Sequence, residues 1–141
     1  MARTPRKTFA RAALLAAVAV LIAAVLSTPG TASPRTIAVT MRHSRFAPSH
    51  FVIRRGATVR FVITNVDPID HEFLLGDERV QQRHETGTEP AHGSVPGEVS
   101  VSAGMTAETS YTFSRAGVVL IGCHAPGHYN YGMRGAALVV Y

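Results

Sequence analysis

The sequence predicts an all-β protein, a sandwich of about seven to eight short strands preceded by a cleaved targeting segment. Short segments of apolar and β-branched residues recur from Thr36 to the C-terminus, and turns rich in glycine or proline separate them. That part of the sequence also contains no window with convincing helical periodicity. We therefore expect an antiparallel β-sandwich with Greek-key connections.

The first 32 residues have the composition of a signal peptide. Four basic residues precede an uncharged apolar run at 12–26, and small and turn residues follow it. The run is shorter than the roughly 20 residues of a membrane-spanning helix, which favours cleavage, placed here after Ala32, over a retained anchor. The prediction is a signal peptide at 1–32 and one exported domain at 33–141, periplasmic or secreted, with no stable membrane insertion after cleavage.

Cleavage would remove most of the excess positive charge. The sequence has 14 basic and nine acidic residues, and four of the basic ones lie in the predicted signal peptide. The exported domain is then nearly neutral, so we expect no binding to nucleic acid. Its length of about 109 residues is sufficient to bury one core without disulfides.

The predicted strands are short runs bounded by turn residues. They lie at 36–41, 51–53, 58–64, 71–75, 99–101, 109–113, 118–121 and 136–140. Pro48 indicates a turn or bulge, because proline cannot donate to a central strand ladder. Between Gly76 and Gly97 the pattern breaks down into a polar stretch, to which we assign no regular structure.

One C-terminal segment, residues 122–133, concentrates side chains that bind soft and borderline metal ions. It holds the only cysteine, Cys123, then His128 five residues on and Met133 five residues beyond. A thiolate, an imidazole and a thioether are three of the four ligands of a trigonal His2Cys site with a weak axial methionine. A lone cysteine in an exported protein has no internal disulfide partner, so its thiol is buried, intermolecular or a ligand.

His71 is the candidate for the missing imidazole. It lies where a turn leads into a strand, and a sandwich brings such distant segments together where its loops cluster. A metal would need a deprotonated Cys123 and two neutral imidazoles. Pro126 and Gly127 predict a tight return that points His128 back toward the sulfur.

Together these motifs resemble the cupredoxins, the type 1 blue copper proteins that include plastocyanin, azurin and rusticyanin. The resemblance covers the exported domain, and the C-x4-H-x4-M spacing is similar to that of rusticyanin. It implies a single copper ion that cycles between Cu(II) and Cu(I) in a one-electron carrier, not an enzyme. It also implies a monomer, with redox partner proteins docking near His128. The ligands that it implies are His71, Cys123 and His128 in the equatorial plane and Met133 in the axial position.

Two residues depart from the cupredoxin pattern. Glu72 follows the first predicted ligand, where many cupredoxins carry Asn or Ser that pins the ligand loop. His124 follows Cys123 and is similar to part of the His-Cys-His path of multicopper oxidases, but Gly122 replaces the first of those histidines. A binuclear copper centre is disfavoured because it uses two cysteines.

Two other functions stay open. An extracytoplasmic copper-binding or copper-tolerance protein would capture or hand over the ion, with the polar stretch helping to recruit it. A small oxidoreductase is less favoured, because the sequence offers no strong second metal site. A weaker copper site built from His84 and His92 with Glu85 or Glu89 is a hypothesis that rests on their clustering in the sequence.

Overall fold

Nine strands and one helix make up the part of the chain that the computed structural model describes, residues 34–87 and 94–141. The strands are β1 (Arg35–Met41), β2 (Phe46–Ala47), β3 (His50–Arg54), β4 (Thr58–Asn65), β5 (His71–Gly76), β6 (Glu98–Val101), β7 (Thr106–Thr112), β8 (Gly117–Gly122) and β9 (Arg134–Val140), and the helix is α1 (Glu78–Thr86). Among these residues, no helix has the length and apolar character needed to cross a membrane. The predicted signal peptide lies outside the described residues.

The strands form two sheets. One has the order β2-β1-β4-β7, and the other has the order β3-β9-β8-β5-β6. The predicted all-β sandwich is confirmed, but the expectation of purely antiparallel pairing is wrong. β1 pairs with β4 in parallel, and so does β3 with β9. β1 and β4 run in the same direction because the chain leaves the first sheet after β2, forms β3 in the other sheet, and then re-enters the first sheet as β4.

The core lies between the two sheets. In β4 the inward-facing residues are fully buried, as their alternation predicts, namely Val59, Phe61 and Ile63. The ring of Phe61 contacts Phe73 of the other sheet, with centroids 5.3 Å apart. Cys123 and Met133 belong to the same buried cluster. Two of the predicted ligands therefore rest on the packed core of the sandwich.

Helix α1 shows that the expectation of no regular structure after Gly76 is wrong for residues 78–86. Asp77 caps the helix, and its carboxylate accepts the Val80 N–H at 2.9 Å. The buried side chain of α1 is Gln81, whose amide donates to the Leu120 carbonyl at 3.3 Å. The helix has no apolar stripe, so hydrophobic periodicity could not reveal it. A polar anchor holds it against β5 and β8.

Candidate metal centre

Two neighbouring strands carry predicted ligands to one end of the sandwich. β5 begins at His71, and β8 ends at Gly122, directly before Cys123. The two strands are antiparallel neighbours, with Leu74 opposite Gly122. The start of β5 therefore lies beside the end of β8. The segment that follows Cys123 leads through His128 to β9.

The side chains of His71, Cys123 and His128 face one another at this end. The Nδ1 atoms of the two histidines are 3.1 Å apart, and Cys123 Sγ lies 3.8 Å from that of His71 and 3.5 Å from that of His128. Ligand atoms that each lie about 2.0–2.3 Å from one ion are separated by about 3–4 Å. The triangle therefore has the size of three ligands around one metal, and two imidazoles with one thiolate are the equatorial set of type 1 copper.

Met133 is held beside this triangle by its backbone. Its carbonyl accepts the Cys123 N–H at 3.2 Å, and its own N–H donates to the His128 carbonyl at 2.9 Å. The residue is fully buried. These two bonds fix the backbone of Met133 next to Cys123 and His128. Its service as the axial ligand stays a prediction.

The turn before His128 requires glycine at position 127. Gly127 has φ +80°, a conformation that residues with a side chain rarely adopt. A Cβ there would also lie 2.9 Å from the ring of Tyr131. The Ala125 carbonyl accepts the His128 N–H at 2.9 Å and closes the turn. This is the tight return that the Pro126-Gly127 pair predicts.

Asp67 selects the nitrogen that His71 presents to the site. Its Oδ2 lies 2.9 Å from Nε2 of His71, which therefore carries the proton and leaves Nδ1 free to face Cys123. The same carboxylate accepts the backbone N–H groups of His43 and Ser44 at 2.7 and 2.8 Å. Burial raises the pKa of Asp67, but hydrogen bonds to its charged form, first from the Ser44 N–H and then from His71, hold the pKa below its ordinary value.

Asn65 holds the turn that carries Asp67. Its side-chain nitrogen donates to the carbonyls of Ile69 and Val101 at 2.8 and 3.0 Å. Its side-chain oxygen accepts the Asp67 N–H at 3.0 Å. Asn65 is fully buried, so each of these bonds also satisfies a polar group that water cannot reach.

The protonation of the thiol and imidazole depends on their burial. Burial raises the pKa of the Cys123 thiol, although N–H groups of Glu72 and Ala125 act in the opposite direction. Burial lowers the pKa of His128, and the neighbouring His71 adds to the effect. At neutral pH, His128 is therefore ready to bind a metal, whereas the metal must displace the proton of the Cys123 thiol.

Glu72 of β5 contacts the two residues that follow β8, Cys123 and His124. Its N–H lies 3.3 Å from Cys123 Sγ and can donate to a thiolate there. Its carboxylate accepts the His124 N–H at 3.2 Å. The residue thus performs the pinning that the resemblance assigns to Asn or Ser in other cupredoxins.

His124 binds helix α1 and does not join the ligand triangle. Its Nδ1 lies 2.8 Å from Oε2 of Glu85, and its Nε2 lies 2.8 Å from Oε1 of Gln81. Its ring stacks on Tyr129 with centroids 4.7 Å apart. A Cβ at Gly122 would collide with this cluster, since it would lie 2.9 Å from both His124 and Tyr129. Glycine before Cys123 therefore gives α1 room to approach.

Of the residues in the hypothesised second site, the structure describes only His84 and Glu85, and it separates these two. His92 and Glu89 lie outside the described residues. The Glu85 carboxylate is bound to His124, whereas His84 Nδ1 lies 3.6 Å from carboxylate oxygens on β5 and β6. His84 and Glu85 therefore belong to different clusters.

Two curated relatives align with most of the chain, although no family model matches it. The copper-resistant cuproprotein CopI of Rubrivivax gelatinosus is 39% identical over 117 residues, which cover 79% of this chain and 71% of that protein. The copper-resistant cuproprotein CopI of Pseudomonas aeruginosa is 30% identical over 137 residues, which cover 74% of this chain and 76% of that protein.

Solved structures share the fold at lower identity. Auracyanin B superposes with a TM-score of 0.63 at 21% identity, covering 82% of this chain and 96% of its own. Auracyanin A, a blue copper protein from Chloroflexus aurantiacus, has a TM-score of 0.63 at 22% identity and covers 77% of this chain and 100% of its own. At such identities the likeness establishes the fold alone, and the predicted cupredoxin fold is confirmed.

Proposed function

This chain belongs to the family of copper-resistant cuproproteins named CopI, and from that premise we propose that it is an exported one-electron carrier with one type 1 copper site. The observation that carries the proposal is the triangle of Nδ1 of His71, Nδ1 of His128 and Sγ of Cys123, with sides of 3.1, 3.5 and 3.8 Å. Copper is the metal that two imidazoles and one thiolate in a trigonal arrangement favour.

The chain's own residues keep this arrangement fixed. Bound copper supplies one-electron exchange between Cu(II) and Cu(I). Asp67 holds the His71 ring, and the Glu72 N–H supports negative charge on the Cys123 sulfur. The backbone bond from Cys123 to Met133 holds the ends of the ligand segment together. Ligands held in this way need little rearrangement when the ion changes its charge.

His128 provides the electron path to a partner. Of the four predicted ligands it alone is partly exposed, while the other three are buried. Pro126 is exposed beside it, and Ala125 and Tyr129 are half-buried. We propose that redox partner proteins dock on this small, mostly apolar surface.

The electron-carrier proposal requires no catalysed conversion of a substrate. It also relies on the predicted signal peptide to bring the protein outside the cytoplasm.

A second candidate function is copper handling, in which the protein captures the ion and passes it on. The names of the two curated relatives, both copper-resistant cuproproteins, favour this candidate. The partial exposure of His128 serves it equally well, because an incoming ion needs one ligand at the surface.

Electron exchange separates the two functions. The Cu(II)-loaded protein is mixed with a reduced soluble electron donor in a stopped-flow instrument, and in parallel with an excess of a copper-accepting chelator. A carrier is reduced within milliseconds to seconds, is reoxidised repeatedly and keeps its copper through many cycles. Slow reduction together with rapid loss of copper to the chelator would overturn the electron-carrier proposal in favour of copper handling.

A further inference from the structure

A second group of potential metal ligands begins at the residue after His71. Glu72 of β5, His84 of α1 and Glu98 of β6 each offer one ligand atom, and these atoms all lie within 4.8 Å of one another. His84 Nδ1 is 3.6 Å from Oε1 of Glu72 and 3.6 Å from Oε1 of Glu98. Strand pairing fixes the two carboxylates, since β5 and β6 are neighbours in one sheet. Helix α1 supplies the imidazole from a third element.

These three side chains are largely withdrawn from water. The exposed fractions are 11% for His84, 16% for Glu72 and 14% for Glu98. Two carboxylates held close together at low exposure repel each other and lose hydration, so a positive charge between them is favourable. A divalent cation supplies two charges and can bind the imidazole of His84 as well as both carboxylates.

A cavity borders Glu72 and His84, two of the three members of the group. Its volume is about 190 Å³, and Glu72, His84 and His124 line it together with Ser100 and Ser102, whereas Glu98 does not. Water occupies about 30 Å³ per molecule in the liquid. The cavity therefore has room for an ion together with the waters that would complete its coordination.

We propose that Glu72, His84 and Glu98 form a second metal site, which binds a divalent transition-metal ion and prefers Cu(II) to Zn(II). One imidazole and two carboxylates are nitrogen and oxygen ligands, whereas Cu(I) is selected by thiolate and thioether sulfur. The order of stability among divalent ions places Cu(II) above Zn(II) for such a set. The second site thus favours Cu(II), whereas the proposed type 1 site holds both Cu(II) and Cu(I).

The position of this site gives it a role beside the first one. Consecutive residues, His71 and Glu72, serve the two sites, and the Glu72 N–H reaches the Cys123 sulfur. The second site would hold Cu(II) next to the type 1 centre before or during its loading. This loading role goes beyond electron transfer, and the proposed binding of Cu(II) at the second site does not depend on electron transfer.

A copper titration of the exported protein tests the proposal. The first equivalent of Cu(II) is added until the thiolate absorption stops growing, and a second is then added under calorimetry and electron paramagnetic resonance. We expect a second equivalent that leaves the thiolate band unchanged and gives the resonance of copper bound by nitrogen and oxygen. A parallel titration with Zn(II) should show weaker binding at the same site.

Two variants assign the site. His84→Gln and Glu98→Gln should keep the first equivalent and raise the Kd for the second by more than about tenfold, because loss of a ligand costs at least as much as loss of an outer-shell partner. The matched controls are His50→Gln and Glu78→Gln, which alter exposed residues outside the group. The retained thiolate band reports that each variant is folded.

Three results would overturn the proposal. Binding of only one Cu(II) by the unaltered protein would show that this group does not hold a metal ion. An unchanged second equivalent in both variants would place the second ion elsewhere. Binding of Zn(II) as tight as that of Cu(II) would refute the stated preference. If a variant fails to fold, the stoichiometry of the unaltered protein still decides.

Discussion

At the scale of single residues, Asp67 shows how one carboxylate prepares a metal ligand. Its carboxylate accepts a hydrogen bond from Nε2 of His71, and the backbone N–H groups of His43 and Ser44 hold the carboxylate in place. Those two residues have φ of 52° and 50°, which is uncommon outside glycine. The sequence showed Asp67 only as part of a turn before His71. Its role was missed because the residues that fix it lie more than 20 positions upstream.

Replacing Asp67 with asparagine should weaken copper binding without abolishing it. The Asp67→Asn variant removes the charge that orients His71, and loss of such an outer-shell partner typically costs about 10–100-fold in metal affinity. Competition with a chelator of known affinity measures the change. Asp70→Asn is the matched control. The Asp70 carboxylate accepts the Ala103 N–H at an exposed position, so this variant makes the same chemical change away from the His71 ring. Equal losses in both variants would refute the assigned role.

The lowered pKa of Asp67 also predicts a dependence of stability on pH. Its pKa in the folded state lies below the ordinary value of 3.8. The folded protein therefore binds this proton less readily than the unfolded chain does, and the resulting stability is complete above the ordinary value. It is lost as the pH falls from there through the folded pKa.

Denaturant unfolding of the copper-free protein across this acid range should therefore show the stability gap between the unaltered protein and Asp67→Asn narrowing as the pH falls. The comparison cancels the contributions of other titrating groups that the two proteins share. A gap that stays constant or widens toward low pH would contradict the charge-based role of Asp67.

At the scale of elements, a strand or helix could be predicted from the sequence where a pattern of apolar residues forms it. β4 and β8 were predicted within about two residues, because β4 alternates apolar residues that it buries and β8 is a continuous apolar run. Helix α1 was missed because its stability comes from the Asp77 cap and from the buried amide of Gln81. The parallel pairings of β1 and β3 were missed for another reason: they depend on where the chain crosses between sheets, which no local pattern encodes.

The Gln81 side chain should account for the attachment of α1. Gln81→Ala removes its bonds to the Leu120 carbonyl and to His124, and buried polar groups left without partners cost about 1–3 kcal/mol each. We expect lower stability in denaturant and faster hydrogen exchange over residues 78–86. Gln82→Ala, at an exposed position of the same helix, should change stability by less than about 0.5 kcal/mol. Equal effects of the two substitutions would exclude the anchor.

At the scale of the whole molecule, the packed core between the two sheets supports the end of the sandwich that carries the predicted copper ligands. The cluster that contains Phe61 and Phe73 in its middle also contains Cys123 and Met133. Cys123, His128 and Met133 were recognisable from the C-x4-H-x4-M spacing, which is a local feature. His71 was predicted from its position at the start of a strand and from the expectation that a sandwich brings distant segments together. The group of Glu72, His84 and Glu98 was not, since its members come from three elements that only the folded chain brings together.

Removing copper should leave the fold in place and lower its stability. The core and the hydrogen bonds of Asn65 and Asp67 do not include the metal, so the copper-free domain should remain folded. Copper that binds the folded chain but not the unfolded chain adds about 4 kcal/mol to the free energy of unfolding when its free concentration is 1,000 times the Kd. For a domain of this size that corresponds to a rise in Tm of more than about 10 °C. Calorimetry with and without copper measures it, and a Tm that does not respond to copper would contradict this linkage.

The visible spectrum of the copper-loaded protein tests the central claim most directly. One equivalent of Cu(II) should produce an intense absorption from copper bound to the Cys123 thiolate, which a reductant bleaches and an oxidant restores. Cys123→Ser should lose the band while its circular dichroism stays that of a folded β-sandwich. A colourless unaltered protein, or the same band in Cys123→Ser, would contradict a type 1 copper site built on this triangle.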